Sequence, residues 1–318
     1  MLITTPSLQS ISARLRFKQL AFLIALDEGG SLHRVAQQLA MTQPGATKML
    51  HEIETTFGAR LFERSKRGVQ VNELGRCVLR YARLLQSDLG HLREEITGVL
   101  TGKGGRLRIG AIGGAFPAVV IPALTRLRAS QPTLSVNVRE DTSAGLLAAL
   151  DDGRLDLAIC RTTVAPEPER YHYELLCDER VAIAVGPRNP LVAATSVTLA
   201  ELAPLNWILY PSLMPLRTLL EREFREAGLP LPEYTTETSS IFVTLLLLQQ
   251  ENHPVALLTA ENMDFCVRHG LGHQLPLELR ARTEPYGIVT RRDAVLSPAA
   301  SLMVAALRAA AQATRMQA

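Results

Sequence analysis

The chain has 318 residues, 47% hydrophobic and 20% charged, with a net charge of +3, enough for two or three domains with real cores. No stretch is apolar over the ~20 residues a membrane span needs. The opening segment lacks the basic, apolar and small-residue zones of a signal peptide, which argues against a membrane or exported protein. Cys77, Cys160, Cys177 and Cys266 are scattered, with no Cys-x-x-Cys spacing; reduced, mostly buried thiols of a cytoplasmic protein are expected. The charge is uneven. Residues 1–83 hold twelve Lys/Arg against six Asp/Glu, a basic head on a mildly acidic body, which suits a polyanion-binding module.

Three helical patterns fit between Leu15 and Phe57. The first carries Leu20, Leu23 and Ile24 on one face and ends at Gly29-Gly30. The second opens at Ser31 as N-cap and places Leu32, Val35, Ala36 and Leu39 at helical spacing. The third has Thr42 as N-cap and Pro44 in its first turn, where the missing N–H does no harm. Its inward set is Ala46, Met49, Leu50, Ile53 and Phe57, so Pro44, Thr47, Lys48 and His51 point away and Gln43 stands at the exposed start.

Two short helices joined by a tight turn on a third make a helix-turn-helix, whose last helix enters the major groove by its N-terminal residues. Gln43 suits adenine edges, Pro44 and the Thr47 methyl suit thymine methyls, and Lys48 reaches guanine or phosphate. In "LFERSKRGVQVN", Arg64, Lys66 and Arg67 cluster, Gly68 turns, and Val69 and Val71 alternate. This predicts a short hairpin, or wing, with three cations for phosphate.

Asn72 caps a long helix with apolar residues at Leu74, Val78, Tyr81, Leu85, Leu89, Leu92, Ile96 and Val99. Their steps of three and four form a heptad seam with one stutter. From Glu73 to Leu100 the helix extends about 42 Å, and a narrow stripe of that length needs a partner. It reads as a dimerisation coiled coil, broken by "TGKGG" (101–105).

"RLRIGAI" is a strand, followed by a Gly-rich loop, a helix, the strand "LSVNVRE", a short helix capped by Ser143 and the strand "LDLAIC"; this order implies a parallel sheet. A second run follows, with strands near 175–177, 181–185, 207–209, 234–238 and 254–258, a helix over 216–227, and a buried helix at "IFVTLLLL". The tail returns a strand at 286–290 and a helix from Pro298. Two small α/β lobes are expected, with crossovers near 161–166 and 267–272.

In such sheets ligands bind outside the carboxyl ends of strands, at helix N-termini. That nominates Gly113, Gly114, Ala115, Phe116, Thr142, Ser143, Arg161, Tyr210 and Ser212 around one interlobe cleft. Loop and helix N–H groups suit an anionic or strongly polar ligand, and Arg161 can pair with a carboxylate. Equally, Thr142-Ser143 fits a plain helix cap, Gly113-Gly114 a plain turn and Arg161 a surface cation. The chain carries no GxSxG, HExxH, P-loop or GxGxxG motif, and His269 and His273 are flanked by Gly270 and Gly272; no catalysis, metal or cofactor is expected.

Through "GGSLHRVAQQLAMTQPGATKMLHEIETTFGARLFERSKRGVQVNELG", "LRIG", "LAALDDGRLDLAI" and "DERVAIAVGPRNPL", the chain resembles the LysR-type transcriptional regulators over nearly its whole length. "WILYP" and "YGIVTRRDAVLSPAA" resemble a branch whose members answer to sugars or aromatic acids. The resemblance implies an α+β chain in three parts. A winged helix-turn-helix occupies 1–71, and a linker and dimerisation helix with a hinge occupies 72–104. A two-lobed α/β effector domain like the periplasmic binding proteins occupies 105–318 (lobe I 105–163 and 268–318, lobe II 164–267).

It further implies a sequence-specific regulator of double-stranded promoter DNA. A small-molecule effector controls it, it assembles as homodimers and homotetramers, and it touches RNA polymerase and no membrane. Carried over by position, Gln43, Pro44, Thr47 and Lys48 match the family's reading helix and Arg64 and Arg67 its wing cations; Ser31, Arg34, Thr42 and Lys66 complete the candidate DNA-binding set. Thr142 stands where an effector-contacting hydroxyl is frequent. Gly45 and Thr47 replace the common Ala and Ser, Gly113-Gly114-Ala115 offers no hydroxyl, and "NHPVALLT" replaces a Gly-rich turn. The alternative reading is a small-molecule-binding protein whose head serves assembly only.

Overall fold

A computed structural model describes residues 6–65, 68–101, 105–212, 214–280 and 282–317. The wing candidates Lys66 and Arg67, and the side chains of Arg64 and Val99, lie outside what is described. The chain separates into two units, Met1–Gly105 with Ala148–Leu155, and Arg106–Leu147 with Asp156–Ala318.

The first unit opens with a helix that the sequence reading lacks. α1 (Leu8–Arg14) starts where Ser7 Oγ accepts from the Ser10 N–H at 3.2 Å. None of its residues is buried, and Leu8 and Ile11 are too short an apolar pattern to mark a helix. α2 (Phe17–Gly29), α3 (Leu32–Gln38) and α4 (Gln43–Phe57) follow as expected. Phe22, Leu23, Leu26, Val35, Ala46 and Ile53 are fully buried between them. Ser31 precedes α3 with extended backbone but makes no capping bond, contrary to the role expected of it. The turn into α4 places Ala40 at φ 49°, a left-handed conformation that is costly for a residue with a Cβ.

β1 (Phe62–Ser65) and β2 (Gly68–Val71) pair antiparallel as the wing. Gly68 has φ +113°, and a Cβ there would lie 2.6 Å from the Gly30 carbonyl oxygen. Only glycine lets the turn end of the wing press on the end of α2.

α5 (Glu73–Thr101) is capped by Asn72, whose Oδ1 accepts from the Gly75 N–H at 2.8 Å. Its first turns belong to the head: Leu79 and Ala82 join the core, Val78 packs against it, and Arg83 pairs with Asp27 of α2 at 2.6 Å. Val78 is thus drawn partly into its own domain rather than left to a partner. Beyond it, Tyr81, Leu85, Leu89, Leu92 and Ile96 remain between 41% and 55% exposed.

The second unit holds two five-stranded sheets. The elements of the first run β3 (Arg106–Ala111), a π-type turn (Phe116–Val120), α6 (Ile121–Ser130), β4 (Ser135–Glu140), α7 (Ser143–Asp151), β5 (Leu157–Cys160) and β6 (Tyr171–Cys177). Then come β7 (Val181–Val185), α8 (Leu199–Leu202), β8 (Trp207–Leu209), α9 (Pro215–Glu226), β9 (Thr235–Glu237), α10 (Ile241–Leu248), β10 (Val255–Thr259), α11 (Ala260–Arg268) and β11 (His273–Gln274). The chain ends with β12 (Tyr286–Arg291) and α12 (Pro298–Gln317).

The first sheet has the order β4-β3-β5-β12-β6; β4, β3 and β5 are parallel, and the returning β12 runs antiparallel to β5 and β6. The second has the order β11-β7-β10-β8-β9. Because β6 pairs with β12, the chain crosses between sheets at 178–180 rather than near 161–166. Because β11 pairs with β7, it returns after Gln274 rather than near 267–272. α10 also departs from expectation: Phe242 is 67% and Leu246 52% exposed, with only Thr244 and Leu248 buried.

Candidate nucleic-acid interface and ligand cleft

The start of α4 separates into two faces. Ala46, Leu50 and Ile53 hold it to the head, while Thr42, Gln43, Pro44, Thr47 and Lys48 are exposed. Thr42 Oγ1 accepts from the Gly45 N–H at 3.2 Å, closing one open donor of the helix start. A Cβ at Gly45 would lie 3.1 Å from that same hydroxyl oxygen, so the glycine leaves the capping group room. Thr47 Oγ1 donates back to the Gln43 carbonyl at 3.2 Å, which leaves its methyl as the group to meet a partner. Arg34 is exposed on α3 and Ser31 is half-buried before it. The backbone of Arg64 lies in β1. This is a polar, hydrogen-bonding tip, chemistry that can meet base edges and phosphates.

In the second unit the nominated residues lie at or just beyond strand ends, and several of their hydrogen-bonding groups are committed to partners within the chain. In the loop after β3, the Ala115 N–H donates to Ile112 O at 3.0 Å and the Phe116 N–H to Gly113 O at 3.4 Å; these donors close a turn. At α7, Thr142 rather than Ser143 is the cap: its Oγ1 accepts from the Gly145 N–H at 3.2 Å. The Ser143 hydroxyl instead accepts from the buried Arg161 N–H at 3.3 Å. Arg161 is neither a surface cation nor open to a ligand carboxylate. It is 5% exposed, its Nη2 meets Glu179 Oε2 at 2.6 Å, and its Nε donates to the Glu284 carbonyl at 2.8 Å. Ser212 is exposed, three residues after the end of β8.

The sequence reading missed the carboxylates that accompany these groups. Glu179 lies in the crossover between β6 and β7, buried and paired with Arg161. A Cβ on Gly114 would overlap Glu179 Oε1 and come within 2.9 Å of Thr259 Cγ2, and one on Gly113 would lie 2.9 Å from Glu140 Oε1. The two glycines therefore leave room for protein carboxylates. Asp141 accepts from the Thr142 N–H at 2.8 Å at the start of α7.

Burial pushes the Glu179 carboxyl above its ordinary range, with the Arg161 guanidinium pulling against it, and burial likewise raises Glu140. Glu261, in the first turn of α11, is pushed up to about 6, chiefly by burial, and its Oε2 is buried without a hydrogen-bond partner. The Tyr210 hydroxyl is raised by burial and by the charges of Glu179 and Glu140, which brings this β8-end residue into the same electrostatic neighbourhood. Burial raises the Cys160 thiol to about 12, so it stays protonated. Cys160, Cys177 and Cys266 are buried, and Cys77 is exposed. Among the described residues, no group of His, Cys, Asp and Glu is arranged to hold a metal ion, and no helix is long and apolar enough to cross a membrane. The one clue to Glu179 in the sequence is the charged triplet Asp178-Glu179-Arg180 between two apolar runs.

Comparisons with known proteins match both units. Residues 17–76 fit the family model described as "Bacterial regulatory helix-turn-helix protein, lysR family", and residues 101–312 the one described as "LysR substrate binding domain". The HTH-type transcriptional regulator GbpR of Azospirillum brasilense is 33% identical over 308 residues, covering 96% of this chain and 90% of that protein. The HTH-type transcriptional regulator PcaQ of Agrobacterium fabrum (strain C58 / ATCC 33970) is 25% identical over 306 residues, covering 95% and 96%. Among solved structures, the LysR family transcriptional regulator CbnR superposes with a TM-score of 0.65 at 20% identity, covering 93% of this chain and 99% of that chain. Full-length CbnR complexed with its target DNA gives 0.65 at 19% identity, covering 93% and 100%.

Proposed function

The chain belongs to the LysR family of bacterial DNA-binding transcriptional regulators with a substrate-binding domain, and from that premise we propose how its own residues divide the work. Gln43, Pro44, Thr47 and Lys48 read base edges in the major groove. Ser31 and Arg34 support them, and Arg64, Lys66 and Arg67 of the wing hold phosphate. A second copy covers the α5 stripe from Tyr81 to Ile96, pairing two heads for two half-sites, and pairs of dimers make the tetramer. A small polar metabolite binds between the two sheets, near Gly113, Thr142 and Tyr210, and changes the spacing of the paired heads and their contact with RNA polymerase in the cytoplasm. No catalytic step is assigned to the cleft.

One observation carries this reading: the exposed polar first turn of α4 stands opposite an apolar face whose Ala46, Leu50 and Ile53 are buried. Gln43→Ala tests it. The variant should lose discrimination between a selected promoter site and random duplex while keeping salt-sensitive nonspecific binding. A variant that still selects the site as sharply as the parent refutes the assignment. A parent chain that shifts no promoter DNA at low salt favours the assembly-only reading. Thermal-shift screening with sugars, sugar acids and aromatic acids addresses the ligand, since binding to the native state raises the melting temperature.

A further inference from the structure

Three features at the strand ends of the second unit would ordinarily draw an anion: the Arg161 guanidinium, the glycine loop after β3 and the start of α7. Each already faces a carboxylate of the chain itself. Arg161 holds Glu179 at 2.6 Å, with both side chains no more than 6% exposed. Glu179 Oε1 lies over Gly114, and Glu140 Oε1 lies 2.9 Å from where a Gly113 Cβ would stand. Asp141 takes the Thr142 N–H, and a Cβ at Gly145 would come within 2.7 Å of its carboxyl atoms. Gly113, Gly114 and Gly145 lack the side chains that would collide with these oxygens.

We propose that Glu179 is a built-in counter-ion occupying the anion position of the cleft, so that the effector is a non-anionic molecule rich in hydrogen-bond donors. A ligand carboxylate or phosphate would have to displace Glu179 from Arg161 and leave a buried charge without its partner, which is strongly unfavourable. Hydroxyl or ammonium hydrogens find an acceptor instead in Glu140, which is exposed beside the glycine loop, since an ionised carboxylate offers about four lone-pair sites. Glu179 is therefore a specificity-determining residue: it excludes one class of ligand by standing in its place.

The inference rests on the reading that the effector binds in this cleft, but its test uses no effector. In the full chain, Glu179→Ala vacates the position and leaves Arg161 without its charge partner. Sodium formate should then fill the gap. At roughly ten times its Kd it should raise the melting midpoint of the variant by about 3–6 °C over sodium chloride of equal ionic strength. The parent should move by less than about 1 °C under the same conditions. Glu179→Gln, whose amide still fills the position, should also stay insensitive, as should the double variant Arg161→Met/Glu179→Ala. If Glu179→Ala is recovered folded only in formate, that is the same rescue. Failure to fold in either salt, no formate effect, or an equal effect in the parent, in Glu179→Gln or in the double variant overturns the proposal. None of those results bears on where the effector binds, and an effector mapped elsewhere would leave formate rescue intact.

Discussion

Replacing Arg161 by Met should be among the most damaging single changes in the second unit. The guanidinium is buried, meets Glu179 at 2.6 Å and donates to the Glu284 carbonyl at 2.8 Å. Removing one partner of a buried pair costs about 3–5 kcal/mol, because the other charge stays buried alone. For a unit of this size each kcal/mol moves the midpoint by about 2–4 °C, so a drop of roughly 6–20 °C is expected at neutral pH. The sign of its pH dependence follows from Glu179. Burial already raises that carboxyl above its unfolded value, and without Arg161 only the Thr283 hydroxyl is left to pull against it. A group raised on folding contributes stability that is present below its unfolded pKa and lost as pH rises through the folded one. The deficit of Arg161→Met should therefore be smaller at pH 5 than at pH 8. Exchanging both partners, Arg161→Met/Glu179→Leu, should recover most of the loss, apart from about 1 kcal/mol for the Glu284 carbonyl left without its donor. Melting curves of the parent, both single variants and the double at the two pH values complete the cycle. A deficit equal at both pH values and undiminished in the double variant would refute the idea that charge burial is its cause.

Other outcomes follow from separate parts of the fold. Leu92→Glu puts a charge in the 53% exposed position of the α5 stripe and should shift the chain from dimer toward monomer in light scattering; an unchanged mass places the interface elsewhere. Glu261, raised to about 6 with one oxygen unpartnered, should cost the parent roughly 1–2 kcal/mol as pH rises from 4.5 to 7. Glu261→Gln should flatten that part of the profile in urea titrations, and an identical fall in both proteins would exclude this carboxyl as the source. Thr42→Ala removes the acceptor for the Gly45 N–H and should destabilise the head by about 1 kcal/mol, read as a lower midpoint of the first unit.

Legibility in the sequence follows the range of each interaction. α4 is plain because a cap, a first-turn proline and an apolar face lie within fifteen residues, and the first two keep their roles in the structure. Gly45, unexplained by propensity, acquires its reason only from the position of Thr42 Oγ1. α1 stays hidden because it buries nothing. β6 reads as a strand, but alternation says nothing about which sheet accepts it; its partner β12 lies more than a hundred residues on. The cleft was half legible for the same reason. Arg161 stands out at a strand end, whereas Glu179 becomes its partner only after a strand and a crossover bring the two together. The glycines after β3 fit a ligand loop and a plain turn equally by sequence; in the structure they close a turn and leave room for the chain's own carboxylates.

The three residues from Asp178 to Arg180 both join the two sheets and carry the charge that neutralises Arg161. Connection and counter-ion are one piece of backbone: a substitution that shifts this strap also shifts the partner of Arg161, and one that removes the charge leaves Arg161 buried without it.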